Sequence, residues 1–225
     1  AFAGADDGQS IFNTLGKNSD VVTKNDVQKN FNKVVGESNG VGNFKPKKVI
    51  LDSGEVAYES VNGELVRSSK YLKPDGTIKW PEADGFVVDK AGNPIKFDAN
   101  LKKGQIIDRY GDSGGRFTSP VENGKPLNYD SRGLPYPESS QTYHQYEIVK
   151  DINMKTVQEA YDNLPEFDKK LFDKAMDEYD FSIEKMANPQ KGKISEVFGS
   201  GGGTQFQLGT TVSWYEKLGL LKEIH

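Results

Sequence analysis

The stretch IIDRYGDSGGRF at residues 106–117 reads as a strand that stops in a glycine-rich turn. Ile106 and Ile107 are β-branched and apolar, which suits a pleated, half-buried surface. Gly111, Gly114 and Gly115 give the backbone freedom that ends a strand and lets a ligand come close. Similar runs recur on both sides. Between residues 47 and 103, KVILD, EVAYESV, ELVRS, PDGTIKWP, DGFVVD and AGNPIKF are broken by Asp-Gly and Gly-Asn, the chemistry of hairpins and turns. In QTYHQYEIVKDI, Tyr143, Tyr146, Ile148 and Val149 read as a further strand. The intervening SPVENGKPLNYDSRGLPYPESS carries four prolines and reads as a surface loop.

Helices flank this β pattern. Phe167, Leu171, Phe172, Ala175, Met176 and Tyr179 form one apolar stripe after Pro165, with acids and lysines opposite, a packing face. TVSWYEKLGLLKEI reads as a closing helix. Before residue 42, SIFNTLGKNSDVVTKNDVQKNFNKVV reads as two short helices around a turn, and GKNSDVVTKND resembles an EF-hand loop that has lost its first aspartate to Gly16. Glycine-rich GESNGVGNF then marks a boundary. The expected organisation is a helical appendage at 1–42 and an α+β domain with a compact antiparallel core at 43–225, interrupted by a helical insertion at about 155–187.

Composition narrows the chemistry. The 225 residues suffice for one substantial core, and no window approaches the roughly 18 apolar residues of a spanning helix. Net charge is −4 with lysines scattered among acids, not the basic stripe that a phosphate backbone requires, so nucleic acid is not an expected partner. There are no cysteines and two histidines, His144 and His225, which removes thiolate catalysis and leaves no all-histidine metal site; no metal is expected. A start at AFAGADDG, without methionine or signal pattern, suggests a piece of a longer precursor.

Three polar clusters remain, each beside a backbone-bending residue: DRYG at 108–111, SRGLPYP at 131–137 and GGGTQFQL at 201–208. Arginine presents a planar fork that matches phosphate, so Arg109 and Arg132 in turns suit a ligand with a pyrophosphate. Tyr110 and Phe117 are placed to stack on a flat ring.

In order along the chain, KWPEADGF, GQIIDRYGDSGGRFTSP, RGLPYP, YHQYEIVK, GGGTQFQL and a closing segment ending LGLL resemble the tuberculosis necrotizing toxin family, which includes secreted fungal NAD glycohydrolases. The resemblance runs from about residue 79 to the C terminus and does not cover residues 1–42. It implies a scaffold akin to ADP-ribosyltransferase toxins and hydrolysis of NAD or NADP, as substrate rather than cofactor, to nicotinamide and ADP-ribose. It places the family arginine, its neighbouring aromatic and the aromatic at the glycine turn on Arg109, Tyr110 and Phe117, the second arginine on Arg132, and the glutamine on Gln205. The histidine of the mycobacterial branch falls on His144. Catalysis is thus expected from Gln205, Arg109 and His144, and substrate binding from Arg109, Tyr110, Phe117, Arg132 and Gln205. Phe117 stands where the mycobacterial toxin has tyrosine, and the insertion has no counterpart in shorter members. A secreted or injected toxin of this kind implies a cognate immunity protein and action in a target cytosol. The rivals are a protein ADP-ribosyltransferase, which usually depends on a glutamate near the ribose, and a non-enzymatic β-rich binding module.

Overall fold

The structure, a computed structural model, describes residues 43–225. The appendage and EF-hand-like loop expected at 1–42 lie outside the described residues. The domain is α+β and its strand pairs are antiparallel. Strands β1 (Lys47–Ile50), β2 (Val56–Glu59) and β3 (Leu65–Val66) form a small meander. The main sheet has seven strands in the order β10-β7-β5-β6-β9-β8-β4. These are β4 (Phe97–Asp98), β5 (Ile106–Tyr110), β6 (Phe117–Val121), β7 (Tyr143–Ile148), β8 (Gln190–Lys193), β9 (Thr204–Gln207) and β10 (Leu221–Glu223). Much of 67–96 is turns joined by isolated bridges, such as Leu72 with Ile78, where the sequence suggests short extended runs broken by turns. The proline-rich stretch begins inside β6. Pro120 pairs with Ile107 of β5 beyond the end of the β9 ladder, where its missing N–H breaks no bond to β9.

Each face of the main sheet has its own core, because successive strand residues point to opposite sides. On one face Ile107, Tyr146, Ile148 and Phe206 pack under the helices. On the other, Phe86, Phe117 and Phe198 meet Val66, Leu72 and Ile78 beneath the β1–β3 meander, with Trp80 edge-on to Phe198 at 5.6 Å. Strand β5 is central and buried through Ile107, Asp108 and Arg109.

The segment expected to be helical at about 155–187 holds three helices: α1 (Met154–Asp162), α2 (Glu166–Glu178) and α3 (Ile183–Ala187). A capping box of Asn153 and Thr156 starts α1, and Pro165 precedes the first residue of α2. Only part of the α2 stripe is core. Phe172 and Ala175 are buried, whereas Phe167 is 72% exposed, its end of the helix overhanging the core edge. The closing helix is shorter than its pattern suggests. Helix α4 (Val212–Lys217) ends before Gly219, at φ 71, and the chain turns back as β10 to cover the free edge of β7, burying Leu220 and Leu221. A strand edge that would otherwise be unpaired outweighs helical propensity here.

Candidate active site

Alternation along β5 sends Asp108 and Tyr110 to one face and Ile107 and Arg109 to the other. Asp108 is wholly buried, and Arg132, 3% exposed, meets it as a bidentate fork at 2.6 and 2.8 Å. Arg132 also donates from Nε and Nη2 to the Leu127 carbonyl. It is delivered by a short helical turn, Tyr129–Arg132, capped by Asn128 and closed by Gly133 at φ 67. The Tyr143 hydroxyl donates to Asp108 at 2.7 Å and accepts from Gln145 Nε2 at 2.8 Å. Burial, with the bond to Asp108 adding to it, pushes the Tyr143 phenol up to about 12, so it stays a donor at any physiological pH. The Arg132 guanidinium lies 4.9 Å from the Tyr110 ring centre, and that ring is flanked by Tyr129 and Tyr143, each at 4.9 Å.

Arg109 faces the other way. Its Nε donates to the Asp112 carbonyl at 2.7 Å and its Nη1 to the Phe117 carbonyl at 3.1 Å, bracing both ends of the 111–116 loop. A Cβ at Gly115 would lie 1.8 Å from Arg109 Nη2, so the glycine makes room for this guanidinium. From outside, the first residues of α4 clasp the loop, Val212 and Ser213 donating to the Gly115 and Ser113 carbonyls. His144 pairs with Arg109 across β5 and β7 and shares its face. Its Nδ1 lies 2.5 Å from Glu223 Oε1 and its Nε2 3.1 Å from Thr142 Oγ1.

Gln205 belongs to the Asp108 face. The register sets Gln207 opposite Phe117, two residues from Ser119, which pairs with Asp108. Gln205 is wholly buried, and its Nε2 donates to the Asp84 carbonyl at 3.1 Å. A carbonyl can only accept, so the amide orientation is fixed and Oε1 points away, with no partner among the described residues. Gln207 Nε2 donates to Asp84 Oδ2 at 3.1 Å. Asp84 can hold both amides because Ala83, Asp84 and Gly85 form a left-handed turn, at φ 56, 55 and 82. That conformation costs a non-glycine residue about 1–2 kcal/mol, and a buried acceptor without a donor costs about 1–3 kcal/mol. Strain and an orphaned acceptor at one point are the signature of a site built for something besides stability.

Of the residues expected from the sequence, Tyr110, Phe117, Arg132 and Gln205 thus share one sheet face, whereas Arg109 and His144 lie on the other. The crevice lined by Asp108, Arg109, Tyr110, Phe117 and Arg132 holds about 10 Å³, no more than one water needs. Phe117 is buried against Phe86, leaving Tyr110 as the half-exposed ring. The sequence reading missed Asp108, Tyr143 and Asp84. Asp108 was findable, since an acid next to an arginine on a buried strand must face away from it and find its own cation. Among the described residues no three His, Asp or Glu side chains converge to hold a metal, and no helix is long and apolar enough to cross a membrane.

Residues 100–169 match the model of the family described as tuberculosis necrotizing toxin. The matched segment spans β5, the glycine loop, the Arg132 turn, β7 and α1. Over 89 residues the chain is 36% identical to the conidial surface nicotinamide adenine dinucleotide glycohydrolase of Aspergillus fumigatus, 36% of each protein. Among solved structures it is similar to tuberculosis necrotizing toxin complexed with its immunity factor, at 17% identity and a TM-score of 0.42, over 67% of this chain and 65% of that one. The chain therefore spans about a third of the curated relative's length and less than two thirds of the solved toxin chain.

Proposed function

We propose that this chain is an NAD(P) glycohydrolase toxin that hydrolyses the bond between nicotinamide and ribose. The observation that carries the reading is a built site on the same sheet face as Asp108, Tyr110 and Arg132 of the family segment: a buried glutamine, amide orientation fixed, with its oxygen waiting for a donor. Nicotinamide in NAD is a cationic leaving group and departs neutral, so no strong general acid is needed. The C1′–N bond breaks with its electron pair going to nicotinamide nitrogen, water oxygen adds to C1′, and a proton is released with ADP-ribose. Gln205 Oε1 accepts from a ribose hydroxyl and orients the sugar while adding no full charge, an effect realised mainly in the transition state. Tyr110, packed between two tyrosines and beside Arg132, supplies the ring face. Both arginine forks meet protein acceptors here, so we assign Arg132 to holding Tyr110 and Arg109 to holding the glycine loop. Gln205 is sealed in this arrangement, and the reading requires the strained 83–85 turn above it to move as substrate enters.

The same reading carries secretion, action in a target cytosol and a cognate immunity protein as proposals. The test is free nicotinamide released from NAD by the pure chain, with and without protein acceptors. Gln205→Ala should lower kcat by on the order of 10²-fold with KM for NAD changed far less. A thermal shift with kcat intact would remove Gln205 from the site. Nicotinamide release that depends on an added protein acceptor would favour the transferase.

A further inference from the structure

We infer that the trough floored by Ile107, Pro120 and Phe206 binds a single-chain fatty-acid anion, its alkyl tail along the floor and its carboxylate at Lys191 and Lys193. The inference goes beyond the glycohydrolase reading and does not depend on it, since Gln205 and Tyr110 take no part in the trough.

The trough measures about 700 Å³, within the range of small-molecule sites. Its lining crosses five adjacent strands, β5, β6, β9, β8 and β4. At about 4.8 Å per strand it runs for roughly 19 Å, a length that suits an extended chain better than a compact ring. Ile107 and Phe206 belong to the core beneath the helices and give it a buried floor. Towards β4 the apolar lining reaches solvent. Phe97 is 62% exposed, and Val87 and Ile95 are exposed as well. An open apolar groove with a polar rim is the usual mark of a binding surface.

Charge gives the groove a direction. Gly192 pairs with Gln205, so alternation sends Lys191 and Lys193 to the opposite face, the one that carries Phe206 and Thr204. Lys191 stands across from Phe97 on one side and Phe206 on the other. Lys193 Nζ donates to the neutral Thr204 hydroxyl at 2.8 Å, which holds the ammonium over β9. Both cations thus lie on β8, in a chain of net charge −4. The one carboxylate in the lining, Glu122, lies past the end of β6. An anionic head is drawn to β8 and repelled from the end of β6, so the tail lies across β9 and β6 towards β5.

Calorimetry of the full chain with dodecanoate and with dodecyltrimethylammonium, both below micelle-forming concentrations, separates head from tail. Dodecanoate should bind one to one and at least about tenfold more tightly than the cation with the same tail, the size of one charge-assisted contact. Lys191→Glu and Lys193→Glu, both at exposed positions, should remove that preference, and Phe97→Ser should weaken both ligands. No saturable binding of dodecanoate, equal binding of the two heads, or a preference unchanged in both lysine variants would overturn the inference. A dimer dispersed by Lys191→Glu, with no dodecanoate bound, would overturn it by giving this face to a second copy. Attachment to anionic phosphatidylglycerol vesicles without one-to-one dodecanoate binding would overturn it in favour of a membrane surface.

Discussion

Asp108 and Arg109 are adjacent in sequence, equally buried, and end on opposite faces of β5 with opposite fates. On one face a full charge meets a full charge: Asp108 is answered by the Arg132 fork and by the Tyr143 hydroxyl. On the other, Arg109 is spread over the carbonyls of a loop and the space left by Gly115. The first arrangement fixes two distant segments, the 129–132 turn and the central strand, to each other. The second shapes a local loop. An arginine fork serves both, since it is planar, permanently charged and multiply donating.

The contrast breaks most sharply at Arg132. Arg132→Ala leaves the Asp108 carboxylate buried without its cation and should cost about 3–5 kcal/mol of unfolding free energy, measured by urea denaturation. Replacing the pair together by apolar residues of similar volume should recover most of that loss. A single mutant that unfolds like wild type would mean Asp108 is reached by water.

On the Arg109 face the sharper probe is the glycine. Gly115→Ala forces the guanidinium aside and should cost about 1–3 kcal/mol, the usual penalty for overpacking. Arg109→Ala in the same chain should make the alanine at 115 nearly harmless, a coupling of about 0.5–3 kcal/mol in a double-mutant cycle. Strict additivity would show that the glycine serves the backbone alone.

The smallest expected effect lies beside His144, at the far end of that face. Burial raises the Glu216 carboxyl above the usual range, and the nearby Glu223 charge adds to it. A raised native value means that its contribution to stability is present below the unfolded value of about 4.3 and is lost as pH rises through the native one. Glu216→Gln should therefore raise Tm slightly at pH 7, with the gain fading at pH 4 and below. An equal gain at both pH values would trace it to packing.

Local physics made much of this molecule legible in its sequence. Alternation and turn chemistry around 106–117 specified β5 and the glycine loop, Pro165 marked the start of α2, and the glycines before Gln205 marked a tight turn, since each of these depends on backbone preferences within a few residues. What only the tertiary structure decided depends on partners distant in the chain. TVSWYEKLGLLKEI carries a helical pattern throughout, yet its end became β10 because β7 offered an unpaired edge. DRYG announced an arginine but not its acceptor, which was settled by Gly115 and the loop carbonyls for Arg109 and by a segment 24 residues away for Asp108. PEADGF gave a turn but not its hand or its hold on Gln205, 121 residues on. Burial is what enforces such choices. A charge or amide removed from water must find its complement wherever the fold brings one, and sequence spacing does not encode where that will be.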